Sequence, residues 1–152
     1  MFNRFSCGIL AIAMLAAPTI AQAVNCTAPN SIVKIANSKL GPWEFVDFYV
    51  KVPMTATSSV SAPPGPNFTE DPSGNTIIVP GTRWTEVTFN SVDWMCSTPA
   101  LLSLPKPIVK SIKQTGRFEG TVSYVIGRKG HHFAGSSWAT IGGLKRLRLK
   151  YF

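Results

Sequence analysis

Residues 118–127 read Phe-Glu-Gly-Thr-Val-Ser-Tyr-Val-Ile-Gly. Phe118, Gly120, Val122, Tyr124 and Ile126 alternate with Glu119, Thr121 and Ser123, the period of two that a strand presents and a helix does not. Beyond residue 24 no stretch holds an apolar i, i+3, i+4, i+7 spacing over three turns, so alternation decides the fold class. The same pattern recurs on either side. In Trp43 to Val52, Val46, Phe48, Val50 and Val52 share one face, which Glu44 begins. Asp47, Tyr49 and Lys51 share the other with Trp43 and Phe45, which predicts a strand covered on both sides at its start. Val87 and Phe89 alternate with Glu86 and Thr88, and Leu147, Leu149 and Tyr151 alternate with Arg146, Arg148 and Lys150. Shorter candidates are 32–35, 76–79, 108–115 and 137–141.

Turn residues separate these runs: Gly41-Pro42, 71–75, Pro80-Gly81, 105–107, 127–130 and Gly142-Gly143. Seven or eight short strands at this spacing predict an all-β, antiparallel sandwich or partly open barrel. Residues 55–74 (TATSSVSAPPGPNFTEDPSG) are long, polar and proline-rich, and are expected to form an exposed, flexible loop. A brief helix is expected around 99–104.

The first 23 residues read as a secretory signal peptide. Arg4 supplies the positive start, residues 8–20 the apolar stretch, and Ala21-Gln22-Ala23 the small-x-small cleavage site. The apolar run falls short of the roughly 20 residues a transmembrane span requires. Asn25 stands where lipid attachment at Cys26 calls for a small residue. The single domain is therefore expected over 24–152, in the periplasm or outside the cell. Once Cys7 leaves with the signal, Cys26 and Cys96 remain, and an even pair in an exported chain reads as one disulfide. Closing about 70 residues, it contributes roughly 4 kcal/mol in the chain-entropy picture. The spacing of two Cys and two His does not suit zinc, so neither a metal nor another cofactor is expected.

The chain carries a net charge of +8, unevenly placed. Residues 24–104 hold four Lys and Arg against six Asp and Glu, whereas 105–152 hold ten against Glu119 alone. Arg146, Arg148 and Lys150 fall on one face of one strand, Arg128 and Lys129 at a tip, and Lys110 joins that face if its strand pairs nearby. Such a field attracts polyanions: lipid or polymer phosphates, wall carboxylates, nucleic acid. Without a base-reading motif, specific nucleic-acid binding is not expected. The competing reading is that these charges solubilise an exposed strand and discourage edge pairing.

Catalytic constellations do not assemble. His131 and His132 are adjacent in a turn, with no G-x-S-x-G elbow and no acid at a useful spacing. One acidic residue in the basic half leaves no carboxylate pair for glycoside hydrolysis there. No enzyme activity is expected. Glu119 is assigned to a turn, paired with Arg117 or Arg128. The four tryptophans are assigned to core or rim, although one exposed beside the basic strand would suit sugar stacking.

From residue 108 onward the sequence resembles bacterial AMIN-like domains. The likeness rests on Ile108-Val109-Lys110-Ser111-Ile112, on Gly116-Arg117-Phe118-Glu119-Gly120, and on Ser123-Tyr124-Val125-Ile126-Gly127. Phe133 and Arg146-Leu147-Arg148-Leu149 stand at its later positions. Upstream, Trp43 to Phe48 and Ile78-Val79-Pro80-Gly81 with Val87-Thr88-Phe89 are similar to its opening segments. The arginine after the opening acidic residue and the closing D-V are missing, and the cysteine pair is extra. The resemblance implies an exported all-β domain related to modules that sit N-terminal to cell-wall amidases. It also implies Phe118-Glu119-Gly120 as a structural turn and a non-catalytic role in binding peptidoglycan or another envelope partner. An alternative reading is a secreted interaction or inhibitor protein that inserts the 55–74 loop into a partner's cleft.

Overall fold

The computed structural model describes residues 27–52, 57–96 and 106–152. The expected signal peptide, Cys26 and the helix expected at 99–104 lie outside them. Among the described residues there are ten strands: β1 (Ile32–Leu40), β2 (Trp43–Lys51), β3 (Thr57–Ser61), β4 (Asn67–Thr69), β5 (Thr76–Ile78), β6 (Arg83–Asn90), β7 (Val109–Phe118), β8 (Thr121–Arg128), β9 (Phe133–Ile141) and β10 (Leu144–Tyr151). A 3₁₀ turn spans Trp94–Cys96. The fold is all-β, as expected. The count of seven or eight is corrected to ten, because 55–74 carries β3 and β4. Both escape sequence patterning for a physical reason: β3 is TSSVS and β4 only NFT, so backbone pairing to β6 and β5 organises them rather than an apolar face.

The strands form two antiparallel four-stranded sheets, ordered β1-β2-β10-β9 and β3-β6-β8-β7, with a β4-β5 ribbon beside them. Neither sheet closes into a barrel. The inward faces meet in one core. Phe48 of β2 lies 5.3 Å from Phe89 of β6 and 5.2 Å from Tyr124 of β8 (ring centroids), and all three are fully buried. Each such side chain contributes about 1.5–3 kcal/mol by leaving water. Ile32, Val46, Val87, Ile112, Ile126, Leu147 and Leu149 complete the same cluster.

The expected single alternating run from Phe118 to Ile126 breaks at its start. Phe118 pairs with Thr121, leaving Glu119 (φ 44°) and Gly120 (φ 79°) as a two-residue hairpin turn. Two positive φ values match the right-handed strand twist, the reason such turns favour glycine and asparagine. Phe118 therefore ends β7 exposed, while Val122, Tyr124 and Ile126 continue into the core. At the far end of β8, a Cβ on Gly127 would overlap the Pro80 carbonyl oxygen, so the 80–81 turn presses directly on that backbone.

One polar group joins the sheets through the core. Glu44 of β2 is fully buried; its Oε2 accepts from the Ile108 (2.9 Å) and Val109 (3.3 Å) amides at the head of β7. Its Oε1 accepts from Asn37 Nδ2 at 3.1 Å. The alternation placed Glu44 on the core face; these donors satisfy it there.

Candidate functional site

Register assembles the site. β10 lies between β2 and β9, placing Arg148 opposite Asp47, Arg146 opposite Tyr49 and Lys150 opposite Phe45. Residues with odd numbers on β2 and even numbers on β10 point away from the core, so sheet A, the β1-β2-β10-β9 sheet, has an outer face built from both. Lys34, opposite Tyr49 on β1, joins it, as does Lys51. Five cations and a single carboxylate, Asp47, occupy the outward strand positions of this sheet.

Aromatic rings hold three of the cations. Lys150 Nζ sits 3.6 Å from the Trp43 ring centroid, Arg148 Cζ 4.6 Å from Phe45, and Lys34 Nζ 5.4 Å from Tyr49. Such contacts contribute about 0.5–1 kcal/mol at exposed sites. Arg148 also donates from Nε and Nη2 to the two oxygens of Asp47, both at 2.7 Å. That pairing holds the Arg148 guanidinium above the usual arginine range, against partial desolvation. Arg146 Nε lies 4.0 Å from the same carboxylate. The double covering expected for the start of β2 is thus made by the core on one side and by charged side chains and Phe152 on the other. Phe152 meets Trp43 edge-on at 5.0 Å.

The expected site residues divide. Arg146, Arg148 and Lys150 stand together on the open face. Arg128 does not join them: it is only 6% exposed, so its expected place at an accessible tip is corrected. The alternation of Val122, Tyr124 and Ile126 runs on to residue 128 and carries that side chain inward. There its Nε donates to Thr85 Oγ1 (3.3 Å) and its guanidinium lies 5.9 Å from the Tyr151 ring. Burial lowers its pKa from the ordinary arginine value. Lys129 is exposed in the β8–β9 link, its amide donating to the Ile108 carbonyl. Lys110 belongs to the opposite sheet, so the condition for its joining the basic face is not met.

Phe118, Glu119 and Gly120 form a turn, but the ion pair expected for Glu119 is not made among the described residues. Arg117 instead donates to the carbonyls of Trp94 and Met95, pinning the 3₁₀ turn. Cys96 ends that turn. His131 and His132 are exposed in their link, and His132 pairs by backbone with Phe152. Sequence reasoning passed over Trp43, Phe45, Asp47, Tyr49 and Lys34 as site residues. Their alternation was visible, but their apposition to β10 was not.

On the opposite sheet, β4 and β7 flank a cleft of about 280 Å³ that includes Phe68, Asp71, Glu86, Arg117, Phe118 and Ser123. Phe68 lies 6.3 Å from the Trp84 ring. Among the described residues, no group of three or more His, Cys, Asp or Glu is placed to hold a metal ion, and no helix is long and apolar enough to cross a membrane. No family model matches the chain, and no curated protein matches it either.

Proposed function

We propose that this chain is an exported, non-catalytic module of the bacterial cell envelope that binds peptidoglycan or another anionic envelope polymer through the outer face of sheet A. One observation carries the reading: Lys150, Arg148 and Lys34 stand on a single open face, each set over an aromatic ring of β2. Rings that hold cations in place lower the ordering cost of meeting a polymer's carboxylates or phosphates. The resemblance to AMIN-like domains enters on the same footing, as part of the proposal, and so does a Cys26–Cys96 bridge. Peptide mapping without reductant tests the bridge, which requires the two cysteines to appear in one linked fragment.

Retention of the mature protein on purified peptidoglycan sacculi tests the binding. Wild type is expected to be retained at low ionic strength and released at high, as exposed charges separated by more than a Debye length are screened. An Arg146/Arg148/Lys150 triple-alanine variant should lose retention. So should a Lys34/Lys150 double-alanine variant, which leaves the Arg148–Asp47 pair intact and isolates binding from stability. Absence of retention by the wild type at low salt would sink the reading.

A further inference from the structure

Asp71, just beyond β4, is fastened to the free edge of β7. Its amide donates to the Thr115 carbonyl (2.9 Å) and its carbonyl accepts from the Arg117 amide (3.1 Å), a parallel bridge to Gly116. Thr115 is the extra residue of a bulge there, since Gln114 pairs with Tyr124 and Gly116 with the adjacent Ser123. Bulges re-aim side chains. Thr115 lines the cleft, is only 5% exposed, and its Oγ1 has no hydrogen-bond partner. Buried hydroxyls ordinarily have one. Across the cleft, Val87 and Phe89 point into the core, so Glu86 between them and its neighbours points outward into the same space. Among the described residues no cation forms an ion pair with Asp71 or Glu86. Glu86 accepts a bond from Ser61 Oγ at 3.4 Å. Arg117 lines the cleft too, but its guanidinium is engaged by the Trp94 and Met95 carbonyls. Lys113 shares the outer face, with Val125 standing between it and Glu86.

We infer that this cleft binds an alkylammonium group, a primary amine on an apolar chain such as a lysine side chain or a diamine presents. Asp71 and Glu86 are acceptors without a cation, and an ammonium offers three donors to them. The Thr115 hydroxyl gains in the same ligand the partner it lacks. The rings of Phe68 and Phe118 line the cleft, and Phe118 is 44% exposed. They cover the methylenes of the chain and add the attraction of an aromatic face for a cation. The site is rigid where it matters, because two main-chain bonds hold the Asp71 backbone before any ligand arrives. A second copy of this chain fits less well: Lys150, Arg148 and Lys34 are already seated on their own rings, and Arg148 on Asp47. The inference is independent of the role given to sheet A, none of whose residues line the cleft.

The probe is 1,5-diaminopentane, titrated into the full mature chain while amide chemical shifts are followed by NMR, with 1,5-pentanediol as the neutral control. The diamine is expected to give saturable shifts at Thr69, Gly116 and Ser123, and the diol none. Asp71→Asn/Glu86→Gln should weaken binding by about tenfold or more, since both charge-assisted contacts are lost. Thr115→Val keeps the shape of the side chain and removes only the hydroxyl; it should weaken binding by about threefold or more. Unchanged amide shifts in β1, β2 and β10 show that both variants are folded. The proposal is overturned if the shifts centre elsewhere, if the diol binds equally well, or if neither variant weakens binding. It is equally overturned if calcium ions reproduce the shifts at the same concentration, or if raising the protein concentration alone does so, since the occupant would then be a bare cation or a second copy.

Discussion

Arg148 and Asp47 face each other as a two-pronged ion pair across 101 residues of chain, and the carboxylate side chain keeps only 4% of its surface in water. The same carboxylate offsets the charge of the face it organises. Asp47→Asn should therefore act in opposite directions on two measurements. Urea unfolding should show a loss of about 1–3 kcal/mol, as buried charge-assisted bonds are removed. The salt concentration that elutes the protein from sacculi should rise, because the face gains net positive charge. Elution at lower salt would contradict this electrostatic account.

Glu44 holds the head of β7 against β2. Glu44→Ala strands the Ile108 and Val109 amides and is expected to cost about 3 kcal/mol or more in chemical denaturation. Glu44→Gln keeps an acceptor and should cost less. Faster amide exchange at Ile108 and Val109 in the alanine variant, with β9 and β10 little changed, checks the assignment.

Glu119 occupies a left-handed backbone position (φ 44°) that asparagine and glycine tolerate better. Glu119→Asn should raise stability by about 0.5–1 kcal/mol. Its retention on sacculi should match wild type, because the β7–β8 turn lies on the sheet opposite the proposed face. A lower thermal midpoint would mean that the Glu119 side chain has a stabilising partner.

Tyr151 is fully buried, and desolvation pushes its hydroxyl above the ordinary tyrosine value of 10.0, while Thr85 and Arg128 beside it pull the other way and Glu44 adds to the rise. The unfolded chain then loses this proton at lower pH than the folded one does. Its contribution to stability is fully present below about pH 10 and falls as the pH rises beyond that. Tyr151→Phe should flatten the alkaline limb of stability against pH. An unchanged limb would show that other groups govern it.

Local alternation made β2, β6, β8 and β10 legible, since each buries one face: Val46, Phe48 and Val50, for instance, are all fully buried. β9 was seen only from 137 and β1 only to Ile35, because edge strands such as AGSS and ANSKL have little apolar patterning and are fixed by a neighbour's backbone. The cations of β10 were legible for the same reason as its strand. Their aromatic partners required knowing that β10 pairs with β2, a contact between distant parts of the chain that no local pattern encodes. Arg128 was misplaced because a glycine-rich tip was expected where β8 still had one inward position to fill.

The position of β10 bears on how such a chain is made. β2 acquires β1 as a neighbour within a few residues of synthesis, yet its other neighbour, Arg148 opposite Asp47, emerges about a hundred residues later. Pairings this distant in sequence form slowly, because a long loop must close first. Until that loop closes the first sheet stays incomplete, with β2 paired on one side alone. Insertion of β10 between β2 and β9 then completes the sheet and assembles the cationic face in one step.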